Sequence, residues 1–220
     1  MKRGHFILAL GLLTPLFAWP VVGFGAEDRS IQEMMDKMAA MAQQVRSLSE
    51  PVDLRMTSAK KYIERKENLE ALALLRELIK ESPNDPAPRF MAANAFINLQ
   101  RSGSARTLLE QMLVDYPKNA GLLNNLAWIY ATTPVAGLKN PPRALDLARK
   151  AILISPDDYH IWSTLAEAHF ASRNYSNALR SVEIALRLAR ESNASSVQIV
   201  TYEQQVTKCR EAVAAFSIVE

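Results

Sequence analysis

Apolar residues recur along this chain on two scales. Within segments of about a dozen residues they fall three and four apart, the mark of a helix with one buried face. On the longer scale the pattern itself repeats. Ala71, Leu75 and Leu78 reappear 34 residues on as Ala105, Leu109 and Met112, then 39 on as Ala144, Ala148 and Ala151, then 34 on as Ala178, Val182 and Ala185. A second pattern lies ahead of each. Ser58, Ala59 and Tyr62 become Ala92, Ala93 and Phe96, then Leu126, Ala127 and Tyr130, then Leu165, Ala166 and His169.

Each unit therefore predicts two helices, with small residues where the pair approaches closely. Pro83, Pro117 and Pro156 close three units, since proline cannot continue the second helix but is tolerated in the first turn of the next. "SPNDP" and "SPDD" supply turn and capping groups at those junctions. The third unit is longer by five residues, and the excess falls in "ATTPVAGLKNPPRA". That stretch reads as an enlarged turn or as a projecting binding loop.

The repeat resembles the tetratricopeptide repeat family, whose pattern W-x2-L-G-x2-Y…A-x3-F…P spans 34 residues. The fourth unit carries Trp162, Leu165, Ala166 and Ala178; the third carries Leu126, Ala127, Tyr130, Ala144 and Pro156. The likeness runs from about Val52 to Glu191. It departs at Arg55 and Ser58, where apolar residues are usual, and at Arg190, where proline is. The expected fold is all-α: an α-solenoid of about four helix pairs with a C-terminal capping helix, each pair burying its apolar face against its neighbours. The expected units are 52–85, 86–119, 120–158 and 159–192, with residues 193–220 as the cap.

Outside the array, the first 25 residues have a basic start at Lys2 and Arg3, an apolar stretch and a small-x-small end at Gly23-Phe24-Gly25. This is the anatomy of a secretory signal peptide. A retained anchor is the alternative, since Phe6 to Ala26 carries no charge. Both readings place the rest beyond the cytoplasm, in the periplasm or secreted, or tethered to the inner membrane and facing the periplasm. In the 26–51 segment, Ile31, Met34, Met38, Met41, Val45 and Leu48 form a short heptad seam. It reads as a leader helix that caps the array, or as one that dimerises or binds a partner. At the other end Ile199, Tyr202, Val206, Cys209, Val213 and Phe216 make the stripe of the capping helix.

Charge and chemistry narrow the function. The sequence pI is about 9.0, but 26 Lys+Arg stand against 23 Asp+Glu and no basic run exists to track phosphates. Nucleic acid is not an expected partner. The single cysteine, Cys209, excludes an internal disulfide and reads as a buried inert thiol. Of three histidines, His5 lies in the export segment, and His160 and His169 sit on opposite faces of one helix, so no metal pair is expected. No Gly-rich phosphate loop, Gly-x-Ser-x-Gly or His-Glu-x-x-His is present. No cofactor is expected, and nothing nominates a catalytic nucleophile or base.

In the tetratricopeptide family the first helix of each pair lines the concave surface. The resemblance thus places Lys60, Phe90, Asn94, Asn98, Asn124, Trp128, Ser163 and Glu167 on a groove, with Tyr130 turned to the core. The amides can pair with an extended peptide's backbone, and the aromatics can anchor it. The competing reading has Trp128 packed against the next pair and the asparagines merely solvated. The family's carboxylate-clamp type needs several basic groove residues, and only Lys60 is in place. The expected function is an exported scaffold that binds a protein or extended peptide in envelope protein assembly, secretion or maturation. The alternatives are a periplasmic cytochrome-maturation module, or an accessory subunit of an envelope enzyme.

Overall fold

The structure, a computed structural model, describes residues 33–38 and 51–217. The export segment lies outside the described residues, as does most of the leader, including Ile31, Met41, Val45 and Leu48. The chain divides into a unit ending at Lys37 and a unit beginning at Met38. Of the first, residues 33–37 are described, and they are helical.

The second unit holds an array of nine described helices: α1 Val52–Glu64, α2 Asn68–Glu81, α3 Pro86–Asn98, α4 Ser102–Asp115, α5 Ala120–Thr132, α6 Pro141–Ile154, α7 Tyr159–Ala171, α8 Tyr175–Glu191 and α9 Ser196–Ser217. Each packs on its neighbours in sequence, and α5 also packs on α7. The described array is an α-solenoid of four helix pairs closed by α9. None of the described helices is long and apolar enough to cross a membrane.

Local chemistry starts the helices. Asp85, Asn119, Asn140, Asp158 and Asn174 each accept a hydrogen bond from a first-turn backbone N–H through the side chain. Each such cap is worth about 1 kcal/mol. Inside the pairs, alanine sets the separation. Ala71, Ala105, Ala144 and Ala178 on the second helices have no exposed surface, nor do Ala59, Ala93 and Ala127 on the first. Larger side chains fill the space around these contacts: Leu75, Leu78, Leu109, Met112 and Val182 are all almost fully buried. A leucine buried this way contributes roughly 1.5–3 kcal/mol.

The turns within pairs explain the long third unit. Lys66, Gln100 and Arg173 take left-handed backbone, with φ of 63°, 59° and 59°. Each lets the following N–H reach back five residues: Glu67 to Tyr62 O (2.8 Å), Arg101 to Phe96 O (2.9 Å) and Asn174 to His169 O (2.9 Å). The equivalent position in the third unit is Pro134, whose ring fixes φ near −65° and forbids that turn. The chain runs out instead through residues 133–139 and returns at Asn140, whose N–H donates to Tyr130 O at 2.9 Å. The closing bond is the same; the loop around it is longer.

Two sequence expectations change here. Tyr130, expected in the core, is half-buried: its ring rests on Ala131, Ala144 and Ala168 while its hydroxyl donates to Glu110 Oε1 at 2.6 Å. The stripe on α9 is buried only in part. Tyr202, Val206 and Cys209 are buried against the last pair, Val213 is half-buried, and Phe216 is 46% exposed.

Candidate functional site

The first helices of successive pairs present their stripes side by side, and α3, α5, α7 and α9 enclose an open groove of about 820 Å³. Residues four apart form the middle of each stripe, because a helix brings i and i+4 onto one face, and adjacent residues widen it. From α3 come Asn94, Ile97 and Asn98; from α5, Asn124, Asn125 and Trp128; from α7, His160, Ser163 and Glu167. The terminal helix adds Tyr202, Gln205 and Lys208.

Amides dominate one half. Asn125 Nδ2 donates to Asn94 Oδ1 at 2.6 Å, across two helix pairs, and Asn124 Nδ2 lies 3.4 Å from Asn125 Oδ1. This leaves Asn124 Oδ1 buried with no hydrogen-bond partner. A buried acceptor without a donor costs roughly 1–3 kcal/mol. Asn98 is held from the other side, its Nδ2 donating to Asn68 Oδ1 at 3.0 Å. The half-buried indole of Trp128 stands in the same wall.

The other half is taken up by α9. Ser163 Oγ donates to Gln205 Oε1 (3.0 Å), and Gln205 Nε2 donates to Glu167 Oε1 (2.6 Å). Lys208 Nζ reaches both Glu167 oxygens, at 3.3 and 3.2 Å. Tyr202 OH lies 3.1 Å from His160 Nδ1. Burial, then the nearby charges of Tyr159 and Asp158, push the Tyr202 hydroxyl up to about 12. It keeps its proton at neutral pH. Below the groove, Cys209 is buried, and burial followed by the Glu167 charge pushes its thiol up, away from the reactive thiolate.

Six of the eight residues expected on the groove line it: Asn94, Asn98, Asn124, Trp128, Ser163 and Glu167. Ser163 and Glu167, expected to be open to a partner, are engaged by α9 instead. Lys60 and Phe90 stand outside the lining. Lys60 is exposed on α1. Phe90 leans onto the start of α5, where a methyl group on Gly121 would come within 3.1 Å of its Cζ. The ring occupies space that a glycine leaves, and so it serves packing between pairs. Sequence reasoning passed over Asn125, the second amide of "NN", because it lies off the i, i+4 stripe. It also passed over Gln205 and Lys208, the polar edge of a helix read by its apolar stripe. Among the described residues no group of three His, Cys, Asp or Glu side chains is placed to hold a metal ion.

Comparison with known proteins bears on the fold. Residues 62–129 match the tetratricopeptide repeat family model. A thermophilic tetratricopeptide repeat protein of Thermus thermophilus superposes with a TM-score of 0.59 at 16% identity, over 82% of this chain and 94% of that one. MamA superposes with a TM-score of 0.53 at 14% identity, over 78% of this chain and 97% of its own. MamA from Desulfovibrio magneticus RS-1 gives 0.51 at 18% identity, over 74% and 95%. No curated protein matches the sequence. At these identities the structural likeness carries the fold alone. The sequence repeat, the paired helices and the family match agree: the chain is a tetratricopeptide repeat protein.

Proposed function

We propose that the chain is a protein-interaction scaffold that holds an extended segment of a partner protein along the α3–α5–α7 groove. The observation that carries this reading is the amide row Asn94–Asn125–Asn124, which lines the groove together with the half-buried Trp128. A peptide strand offers an N–H and a C=O at every residue, which amides can pair without reading the side chains. The indole supplies apolar area for one anchor residue. Among the described residues, the Cys209 thiol is buried below the groove, and Glu167 is engaged by Lys208 and Gln205.

The proposed place of work is outside the cytoplasm, in assembly, secretion or maturation of envelope proteins. It rests on the first 25 residues, with their basic start, apolar stretch and small-x-small end. Two measurements test the two parts. A photo-crosslinking residue at position 128 should capture a partner, and the same residue at Leu153, an exposed position outside the groove lining, should not. Capture from Leu153 alone sinks the groove reading. Intact mass of the protein from its native compartment should start near Ala26; a retained Met1 in the membrane fraction supports the anchor.

A further inference from the structure

We propose that the C-terminal end of the groove is a cation-binding subsite, made of the Glu167 carboxylate and the face of the Phe170 ring, which the chain's own Lys208 fills until a partner's lysine or arginine replaces it. This deepens the groove reading and rests on it for the identity of the occupant.

Three observations build the subsite. Glu167 is a carboxylate with only 17% of its side chain exposed, and both of its oxygens face the Lys208 ammonium, at 3.2 and 3.3 Å. The same ammonium sits 4.2 Å from the centre of the Phe170 ring, within cation–π range. Phe170 is itself braced edge-on by Tyr175, with ring centres 5.1 Å apart. Carboxylate and aromatic face thus converge on one point and define a site for a positive charge. A planar guanidinium fits as well as an ammonium, since it stacks on a ring and forks to a carboxylate.

The present occupant is easily displaced. The Lys208 side chain is 48% exposed on a long flexible stem, so water can solvate its ammonium as it leaves Glu167. It can swing into water while Tyr202, Val206 and Cys209 keep α9 docked. Glu167 is the sole carboxylate in the described groove lining and Lys208 the sole ammonium. With Lys208 in place the groove is balanced; with Lys208 swung out its end is acidic. Charge complementarity therefore selects a segment bearing one basic residue, placed where its backbone already lies on the amide row.

Chemical rescue tests this in the intact protein. Lys208→Met keeps the stem and removes the charge. By ligand-observed NMR, n-butylammonium should bind Lys208→Met at least tenfold more tightly than it binds wild type or Lys208→Met/Glu167→Gln, with sodium chloride at equal ionic strength as the control. Equal, weak binding to all three variants overturns the subsite and leaves a plain surface ion pair. A peptide array separates this from the parent reading. Capped neutral octapeptides, and the same peptides with one lysine, are applied to wild type and to Lys208→Met. Where the neutral peptides bind, a gain of about tenfold for the lysine peptides on Lys208→Met supports the subsite, and no gain overturns it. If no peptide binds any variant while n-butylammonium binds Lys208→Met, the subsite stands and the groove reading fails.

Discussion

Asn140 donates its backbone N–H to the carbonyl of Tyr130 at 2.9 Å, closing across ten residues the turn that the other three pairs close across five. The longer path follows from Pro134, which stands where Lys66, Gln100 and Arg173 adopt positive φ. Deleting residues 135–139 together with Pro134→Gly should restore the short turn. Its stability, by urea denaturation, should stay within about 1 kcal/mol of wild type, because loop length alone is a weak lever. The same deletion with Pro134 retained should cost about 3 kcal/mol or more, since proline cannot take the required conformation.

Trp128 and Tyr130 divide the work of α5 between groove and pair. Trp128→Ala should weaken partner binding by more than about 1 kcal/mol. Its cost to stability should stay well below the ~3–5 kcal/mol of a fully buried aromatic, because the indole is half-exposed. Tyr130→Phe should leave binding intact and lose no more than about 1 kcal/mol of stability with its bond to Glu110. Thermal melts and a titration on both variants decide it. A core-like melt for Trp128→Ala, with binding per folded molecule unchanged, would place the indole in the packing between pairs.

Alanine at the helix crossings predicts sharp intolerance. Ala105→Leu, at a site with no exposed surface, should cost roughly 1–3 kcal/mol by overpacking and separate α3 from α4. Equilibrium unfolding followed by circular dichroism measures it. A neutral result would mean that the pair has slack that the buried contacts do not show.

His169 makes stability depend on pH. It is buried where Phe96 and Tyr130 stand in other units, and burial, then the nearby Arg149 charge, lower its affinity for a proton below the ordinary value of 6.5. The unfolded chain therefore binds the proton more readily than the folded one. Stability is full above about 6.5 and falls as pH drops from there towards the depressed folded value. His169→Phe, which copies Phe96, should remove that slope between pH 7 and 5.5 in urea midpoints. An unchanged slope would assign it to other groups.

Cys209 should resist thiol reagents in the native protein, since burial and the Glu167 charge hold it as the neutral thiol. Its labelling rate should track global unfolding across a urea series. Fast labelling in buffer would mean that α9 undocks locally from the last pair.

The helix pairs were legible in the sequence because close packing writes itself into residue size. Ala71, Ala105, Ala144 and Ala178 recur since no larger side chain fits where two helices touch. The long third turn was visible as five extra residues, but its cause appeared only once the φ angles of Lys66, Gln100 and Arg173 showed what Pro134 forbids. The stripe on α3, α5 and α7 was likewise legible, because each residue's facing depends only on its own helix.

What the sequence could not specify were the polar partners across the stack. Asn125 meets Asn94 from 31 positions away, Gln205 meets Glu167 from 38, and Tyr202 meets His160 from 42. Periodicity gives the direction of a side chain about its own helix axis. It does not give the angle and rise between successive pairs, and those decide which polar tips come within 3 Å. Phe90 and Glu167 show the consequence. Both lie on the groove-ward stripe by periodicity, yet stacking turns one against Gly121 and brings Lys208 over the other. The sequence by itself determined a solenoid of helix pairs with an amide-rich inner face. Only the tertiary structure decided how much of that face stays open, because α9 reaches it through space and not through the repeat.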